Sequence, residues 1–344
     1  MKKITIGIVG GGRIGRLHAE NLFKMVHVKV KAMSDIHTEG LTSWQTDKPV
    51  EYITADYHEL LEDPEIEAVL VCTSTSTHAE IIIAAAKAGK HIFCEKPISF
   101  DLTSTKEVLE AVKKYNVAFQ VGFMRRFDHN FRRLYECVEA GEIGAPHMVK
   151  ITSRDPEPSP REYVMYSGGM PFDMTIHDYD MARFISGSEV EEVYVQGAVL
   201  VDNMFAECAD IDTAITTLKF KNGALGVIDN SRKAAYGYDQ RVEVFGSNGM
   251  ATADNDYHHT VEVSSGAGIY KDKPKYFFLD RYKKAFETEM VAFVTAITEE
   301  KEAPVTGMDG LQAELIAHAA DKSLKTGAPI KVKEIQAQLD QMEV

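Results

Sequence analysis

The chain has 344 residues, 44% of them hydrophobic, and is longer than a single hydrophobic core usually serves, so two domains are expected. Its 52 acidic residues outnumber 38 lysines and arginines, and the net charge of -14 at pH 7 repels phosphate backbones and anionic lipid headgroups, which argues against nucleic acid and membrane partners. No apolar run reaches the roughly 18 residues of a membrane span, glycines interrupt the run that starts at Ile4 before it resembles a secretory leader, and Cys72, Cys94, Cys137 and Cys208 form no CxxC pair; a cytoplasmic protein with reduced cysteines, mostly buried in strands, is the expectation.

The first part of the chain alternates strand-like and helix-like segments. Lys3 to Val9 is β-branched, Arg13 to Met25 carries Ile14, Leu17, Leu22 and Met25 at helical spacing, and Val28 to Met33 is strand-like again. The rhythm continues with a strand at Ala68 to Cys72, a helix at Thr77 to Ala88, a strand at His91 to Cys94, a helix at Leu102 to Tyr115 and a strand at Ala118 to Val121. This pattern predicts a doubly wound parallel sheet over residues 1–122.

From residue 123 to 344 the pattern changes. The segments His147 to Ser153, Val193 to Leu200, Thr213 to Phe220, Ala224 to Asn230 and Arg241 to Phe245 suit an open, mostly antiparallel sheet. Hairpin signals stand at Lys221-Asn222-Gly223 and at Gly246-Ser247-Asn248-Gly249. Tyr282 to Ile297 and Leu311 to Leu324 read as amphipathic helices, the second closed by Gly327. Asp155 to Pro160 holds three prolines and predicts a rigid excursion.

Between the first strand and helix, Gly10, Gly12 and Gly15 form GxGxxG, with Arg13 and Ile14 inside it. In that setting the first glycine permits the turn, the second admits a pyrophosphate, and the third lets helix and strand pack closely. Asp35, 20 residues beyond Gly15 at the end of the second strand, would accept hydrogen bonds from an adenosine ribose and repel a 2'-phosphate, which favours NAD over NADP. Folds that bind FAD or S-adenosylmethionine share much of this pattern, so the downstream residues must discriminate.

Glu95-Lys96-Pro97 follows the strand His91 to Cys94 at the carboxyl edge of the sheet, where doubly wound folds bind ligands. There a lysine can hydrogen-bond a substrate hydroxyl; as a dipeptide, Lys-Pro also marks ordinary surface turns. Asp173, His177 and Asp180 fall at i, i+4 and i+7 of a helix expected to start near Pro171 and end at Gly187, so they share one face. His177 could accept an alcohol proton, with Asp173 steadying the imidazolium; a capping aspartate beside a solvated histidine, or a metal site, fits the same spacing. His258 and His259 beside Asp254 and Asp256 read as a polar loop, and no metal is expected.

With these motifs the chain resembles the Gfo/Idh/MocA oxidoreductases over essentially its full length. The resemblance rests on GxGxxG with Asp35, on Thr73-Ser74-Thr75-Ser76-Thr77-His78, on Gly89-Lys90-His91-Ile92-Phe93-Cys94-Glu95-Lys96-Pro97, and on the Asp173 to His177 spacing. Gly122-Phe123-Met124-Arg125-Arg126-Phe127-Asp128 and Ser167-Gly168-Gly169 are similar to the inositol 2-dehydrogenases of that family. The resemblance implies a Rossmann NAD-binding domain (1–122) and a substrate-binding and oligomerisation domain (123–344) in a homotetramer. It implies cofactor contacts from Thr73, Ser74, His78, Glu95 and Lys96, a catalytic triad of Lys96, Asp173 and His177, and polyol contacts from Arg126, Asp155, Asp180 and Tyr236. The implied reaction is NAD-dependent oxidation of myo-inositol to scyllo-inosose. Another inositol isomer or an aldopyranose is the alternative substrate, and a non-catalytic NAD-binding regulator is the alternative of another class.

Overall fold

A computed structural model describes residues 3–341, which divide into two compact units. The first comprises the chain up to Met124 together with Phe286–Gln312. Its sheet contains β1 (Ile4–Val9), β2 (Val28–Ser34), β3 (Tyr52–Thr54), β4 (Ala68–Val71), β5 (His91–Glu95) and β6 (Phe119–Gly122), all parallel, in the order β3-β2-β1-β4-β5-β6. Every residue of β4 is buried and β1 nearly so, as expected for central strands covered on both faces. Strand order reverses between β1 and β4, the position where such sheets open a crevice at their carboxyl ends.

Beyond the segment that precedes the boundary expected at residue 122, Phe286–Gln312 also groups with the first unit. Met290, Phe293 and Val294 join the core of Ile4, Ile6, Ile8, Leu70 and Phe93, with the Phe93 and Phe293 rings 5.8 Å apart. Val121 N–H donates to the Val305 carbonyl at 3.1 Å, and the helix Gly307–Thr326 begins where a Cβ on Gly307 would lie 2.4 Å from Leu109. An apolar stripe far along the chain thus completes a core begun at the N-terminus. The elements around β3, the helices Thr38–Gln45 and His58–Glu62, lie in a polar stretch whose short segments carried no strong period.

The second unit comprises Arg125–Ala285 and the chain from Ala313. Its larger sheet has β7 (Pro146–Arg154), β8 (Val190–Ala198), β9 (Thr213–Phe220), β10 (Leu225–Ser231), β11 (Asp239–Gly246), β12 (Gly249–Ala253) and β15 (Ile330–Lys331); β13 (Glu262–Ser265) and β14 (Gly268–Lys271) form a separate hairpin. The order is β12-β11-β7-β10-β9-β8-β15, antiparallel throughout except for the β7 and β10 pair. Alternation divides its faces: Val149, Ile151, Ile228 and Val244 are buried, while Met148, Ile215, Leu225, Phe245 and Met250 on the other face are exposed. The helix Ile176–Ser186 packs against β7.

The fold class is as expected, an α/β chain with a parallel and a mostly antiparallel sheet. All four cysteines are free, but only Cys94 lies in a strand: Cys72 follows β4, Cys137 is on the helix His129–Glu139, and Cys208 follows the helix Met204–Glu207. No helix among the described residues is long and apolar enough to cross a membrane.

Candidate active site

The glycine loop shows a separate physical need for each motif glycine. Gly10 has φ +102°, and a Cβ there would stand 2.5 Å from the Cys72 carbonyl, so only glycine fits the turn. A Cβ on Gly15 would stand 1.9 Å from the Gly10 carbonyl oxygen, while a Cβ on Gly12 would meet nothing within 4 Å. Gly12 therefore borders open space at the N-terminus of the helix Arg13–Phe23, where first-turn N–H groups have no acceptor within a helix, with Arg13 exposed and Ile14 half-buried. Asp35 closes the loop: its Oδ2 accepts from Gly11 N–H at 2.7 Å and its Oδ1 from His37 N–H at 2.8 Å. Each oxygen keeps a further lone pair for a ribose hydroxyl. This open cradle, the helix N-terminus and the carboxylate fit a dinucleotide.

At the carboxyl ends of β4 and β5 the structure places Thr73, Ser74, His78, Glu95 and Lys96. The Lys96-Pro97 peptide is cis. His78 is buried, its Nδ1 lying 2.8 Å from the Pro97 carbonyl oxygen and its Nε2 3.1 Å from that of Thr73. It ties the turn after β4 to the turn after β5, so its side chain positions these loops. Ser74 is exposed and Thr73 half-buried in front of the turn Thr75–Thr77. Glu95 reaches the buried His18, whose Nε2 lies 2.7 Å from its Oε1.

In the second unit the continuous helix expected from Pro171 to Gly187 is instead two segments, Met170–Asp173 and Ile176–Ser186. Contacts to residues distant in the chain accompany the break at Met174 and Thr175. Met170 N–H donates to Asp210 at 2.9 Å, Thr175 N–H reaches back to the Met170 carbonyl, and the Thr175 hydroxyl donates to Asn230 on β10 at 3.3 Å. Asp173 ends the first segment, and His177, 8% exposed, stands in the first turn of the second.

Buried polar groups anchor that turn. The Asp178 carboxylate accepts from Arg125 and, at 2.8 Å, from Asn230 Nδ2, while Arg125 also donates to the Ser153 hydroxyl at 3.3 Å. Burial pushes the Asp178 carboxyl up and Arg125 pulls it back. Asp180 is engaged by Arg126: its two oxygens accept from Arg126 Nε at 2.8 Å and Nη2 at 2.6 Å, with both side chains nearly buried. Asp173 thus lies on a different helical segment from His177 and Asp180, and the Arg126 and Asp180 groups expected to bind polyol are paired with each other.

Asp155 and Asp173 do converge. Arg232 Nη2 lies 2.9 Å from Asp173 Oδ2, and Arg232 Nη1 lies 3.4 Å from Asp155 Oδ2. The Tyr163 hydroxyl donates to Asp173 Oδ1 at 2.6 Å. Burial pushes the Asp155 carboxyl up to about 6, against the lowering charge of Arg232. Tyr236 sits elsewhere: its hydroxyl donates to Asp239 at 2.6 Å and accepts from Arg154 at 3.1 Å. Arg154 lies on the sheet face opposite Ser153, so the Tyr236 hydroxyl belongs to a different cluster from Asp155 and Asp173.

Arg125, Tyr163, Asn230 and Arg232 were missed in the sequence. A usable signal existed for Asn230: strand alternation places it on the buried face with Gly226 and Ile228, and a polar group there needs a buried partner. His258 and His259 face different carboxylates, Asp280 at 3.3 Å and Asp272 at 3.6 Å.

A doubly wound unit with this cradle, joined in one chain to a unit with a buried carboxylate, arginine and histidine cluster, defines an NAD-binding oxidoreductase. Residues 4–123 match the family model described as "Oxidoreductase family, NAD-binding Rossmann fold", and residues 131–252 match the "GFO/IDH/MocA C-terminal domain". The chain belongs to the Gfo/Idh/MocA oxidoreductase family, with NAD as its cofactor. It is 56% identical to a Bacillus subtilis (strain 168) protein named uncharacterized oxidoreductase YrbE, over 96% of this chain and 97% of the relative. It is 49% identical to the myo-inositol 2-dehydrogenase of Thermotoga maritima, over 96% and 99%. A crystal structure of a probable dehydrogenase from Thermotoga maritima superposes with a TM-score of 0.95 at 48% identity, covering 96% of this chain and all of that one.

Proposed function

We propose that the chain oxidises myo-inositol to 2-keto-myo-inositol (scyllo-inosose). The observation that carries the substrate is the 49% identity, over nearly the whole of both chains, to a protein named myo-inositol 2-dehydrogenase. Bound NAD supplies a hydride acceptor at nicotinamide C4. Every other role falls to side chains. His177, presented by the anchored turn of its helix, takes the hydroxyl proton as general base. Asp173 stabilises the imidazolium that forms, and Lys96 donates a hydrogen bond to the oxygen that develops alkoxide character. Asp155 contributes a hydrogen-bonding group for ring hydroxyls.

The exposed apolar residues Met148, Ile215, Leu225, Phe245 and Met250 on one face of the second sheet support the further reading of self-association, which we propose to be a homotetramer; the proposed location is the cytoplasm. The test of activity is a panel of myo-inositol, scyllo-inositol and aldopyranoses with NAD or NADP, read at the reduced-nicotinamide absorbance. The proposal expects NADH with myo-inositol at the highest kcat/KM. A higher kcat/KM with scyllo-inositol or an aldopyranose replaces the substrate, and NAD binding without turnover of any polyol replaces the enzyme with a regulator.

A further inference from the structure

Strands β7 and β10 run parallel with Arg154 opposite Ser231, so the residues just beyond their ends, Asp155 and Arg232, emerge side by side. Asp155 N–H donates to the Ser231 carbonyl at 2.9 Å and Ala234 N–H to the Asp155 carbonyl at 2.6 Å, which fixes both backbones. The Arg232 side chain is 3% exposed and lies between two carboxylates, Asp173 at 2.9 Å and Asp155 at 3.4 Å. A guanidinium offers donors in a planar fork and stays charged when buried, so one arginine can serve two carboxylates that would otherwise repel each other.

We propose that Arg232 is a positioning residue for the reaction, bridging Asp155 and Asp173 so that Asp173 stays ionised and fixed in orientation. This rests on the reading of Asp173 as the partner of the base His177. Tyr163 restrains the second oxygen of Asp173, leaving that carboxylate gripped at both ends. The other charged or titratable groups around the bridge are Arg125, which lowers the Asp155 pKa, Asp210, which raises that of Arg232, and Tyr238, itself raised in part by Asp155. Arg232 lies within 3.4 Å of both carboxylates, so its loss takes away a counter-charge common to Asp155 and Asp173.

The experiment compares wild type, Arg232→Gln and Arg232→Lys by the pH dependence of kcat/KM for myo-inositol and by carboxyl carbon NMR titration of Asp155 and Asp173. In R232Q the carboxyl midpoints and the acid limb of the rate profile rise by about one unit, since an opposite charge within hydrogen-bond reach lowers a carboxyl pKa by roughly 1–3 units. Turnover falls about 10–100-fold, the scale of a misplaced catalytic group. R232K keeps the charge and leaves the acid limb near the wild-type position, but its single ammonium cannot span the fork and turnover still falls about tenfold. Unmoved midpoints in R232Q, or wild-type turnover in R232K, overturn the proposal; the R232K arm decides if R232Q does not fold. Should the wild type oxidise no polyol, the functional reading fails while the carboxyl titrations still decide the role of Arg232.

Discussion

The Asp35 carboxylate holds the glycine loop directly, through the 2.7 Å hydrogen bond from Gly11 N–H to its Oδ2. The carboxylate proposed to exclude a 2'-phosphate by charge therefore also holds the turn proposed to receive the pyrophosphate. Asp35→Ala is expected to raise the KM for NAD by an order of magnitude or so and to narrow the preference over NADP. Steady-state kinetics with both cofactors check this, and an unchanged cofactor ratio would remove Asp35 from ribose recognition.

The motif glycines separate folding from binding. Gly12→Ala places its methyl group in open space, so its melting temperature should match wild type while the Kd for NAD rises about tenfold or more. Gly15→Ala drives its methyl group into the Gly10 carbonyl and should cost about 1–3 kcal/mol of stability. Thermal melts and calorimetric NAD titration distinguish the two outcomes.

His177→Ala tests the assignment of the base. General-base catalysis contributes roughly 100- to 10,000-fold, so turnover should drop by that factor with NAD affinity unchanged. Wild-type turnover of myo-inositol by this variant would exclude His177 from proton transfer.

Asp180 is expected to act through the fold. Its bidentate pair with Arg126 is almost wholly buried, and removing one partner of such a pair costs about 3–5 kcal/mol. Denaturant melts of Asp180→Ala should register that loss. A variant of wild-type stability that instead lost substrate affinity would return Asp180 to the polyol site.

Glu289 should give the opposite result. It is fully buried, neither carboxyl oxygen has a hydrogen-bond partner among the described residues, and burial, reinforced by the charge of Glu95, pushes its pKa well above the usual glutamate value. The folded protein then holds a proton that the unfolded chain releases, so stability falls as pH rises above the unfolded pKa, until the folded pKa is passed. Glu289→Gln should therefore stabilise the protein by an amount that grows between pH 5 and pH 8. Melting curves across that range check the sign, and a gain confined to low pH would contradict it.

Much of the first unit was legible because its information is local. The turn at Gly10, the apolar strands and the helix Leu102–Tyr115, which ends in the left-handed Asn116, are set by backbone and side-chain constraints within a few residues. The acid of the cofactor loop was legible for the same reason, since one βαβ unit fixes its distance from the glycines.

What the amino-acid order by itself determined was thus the kind of the strongly periodic elements, the dinucleotide cradle and the candidate groups Lys96, Asp173 and His177. Only the tertiary structure decided that Phe286–Gln312 completes the first core, that the helix breaks after Asp173, that Asp180 belongs to Arg126, and that Arg232 joins Asp155 to Asp173. These pairings depend on which strands become neighbours and in what register. Residues 77 positions apart meet because β7 and β10 pair in parallel, and no local period encodes that.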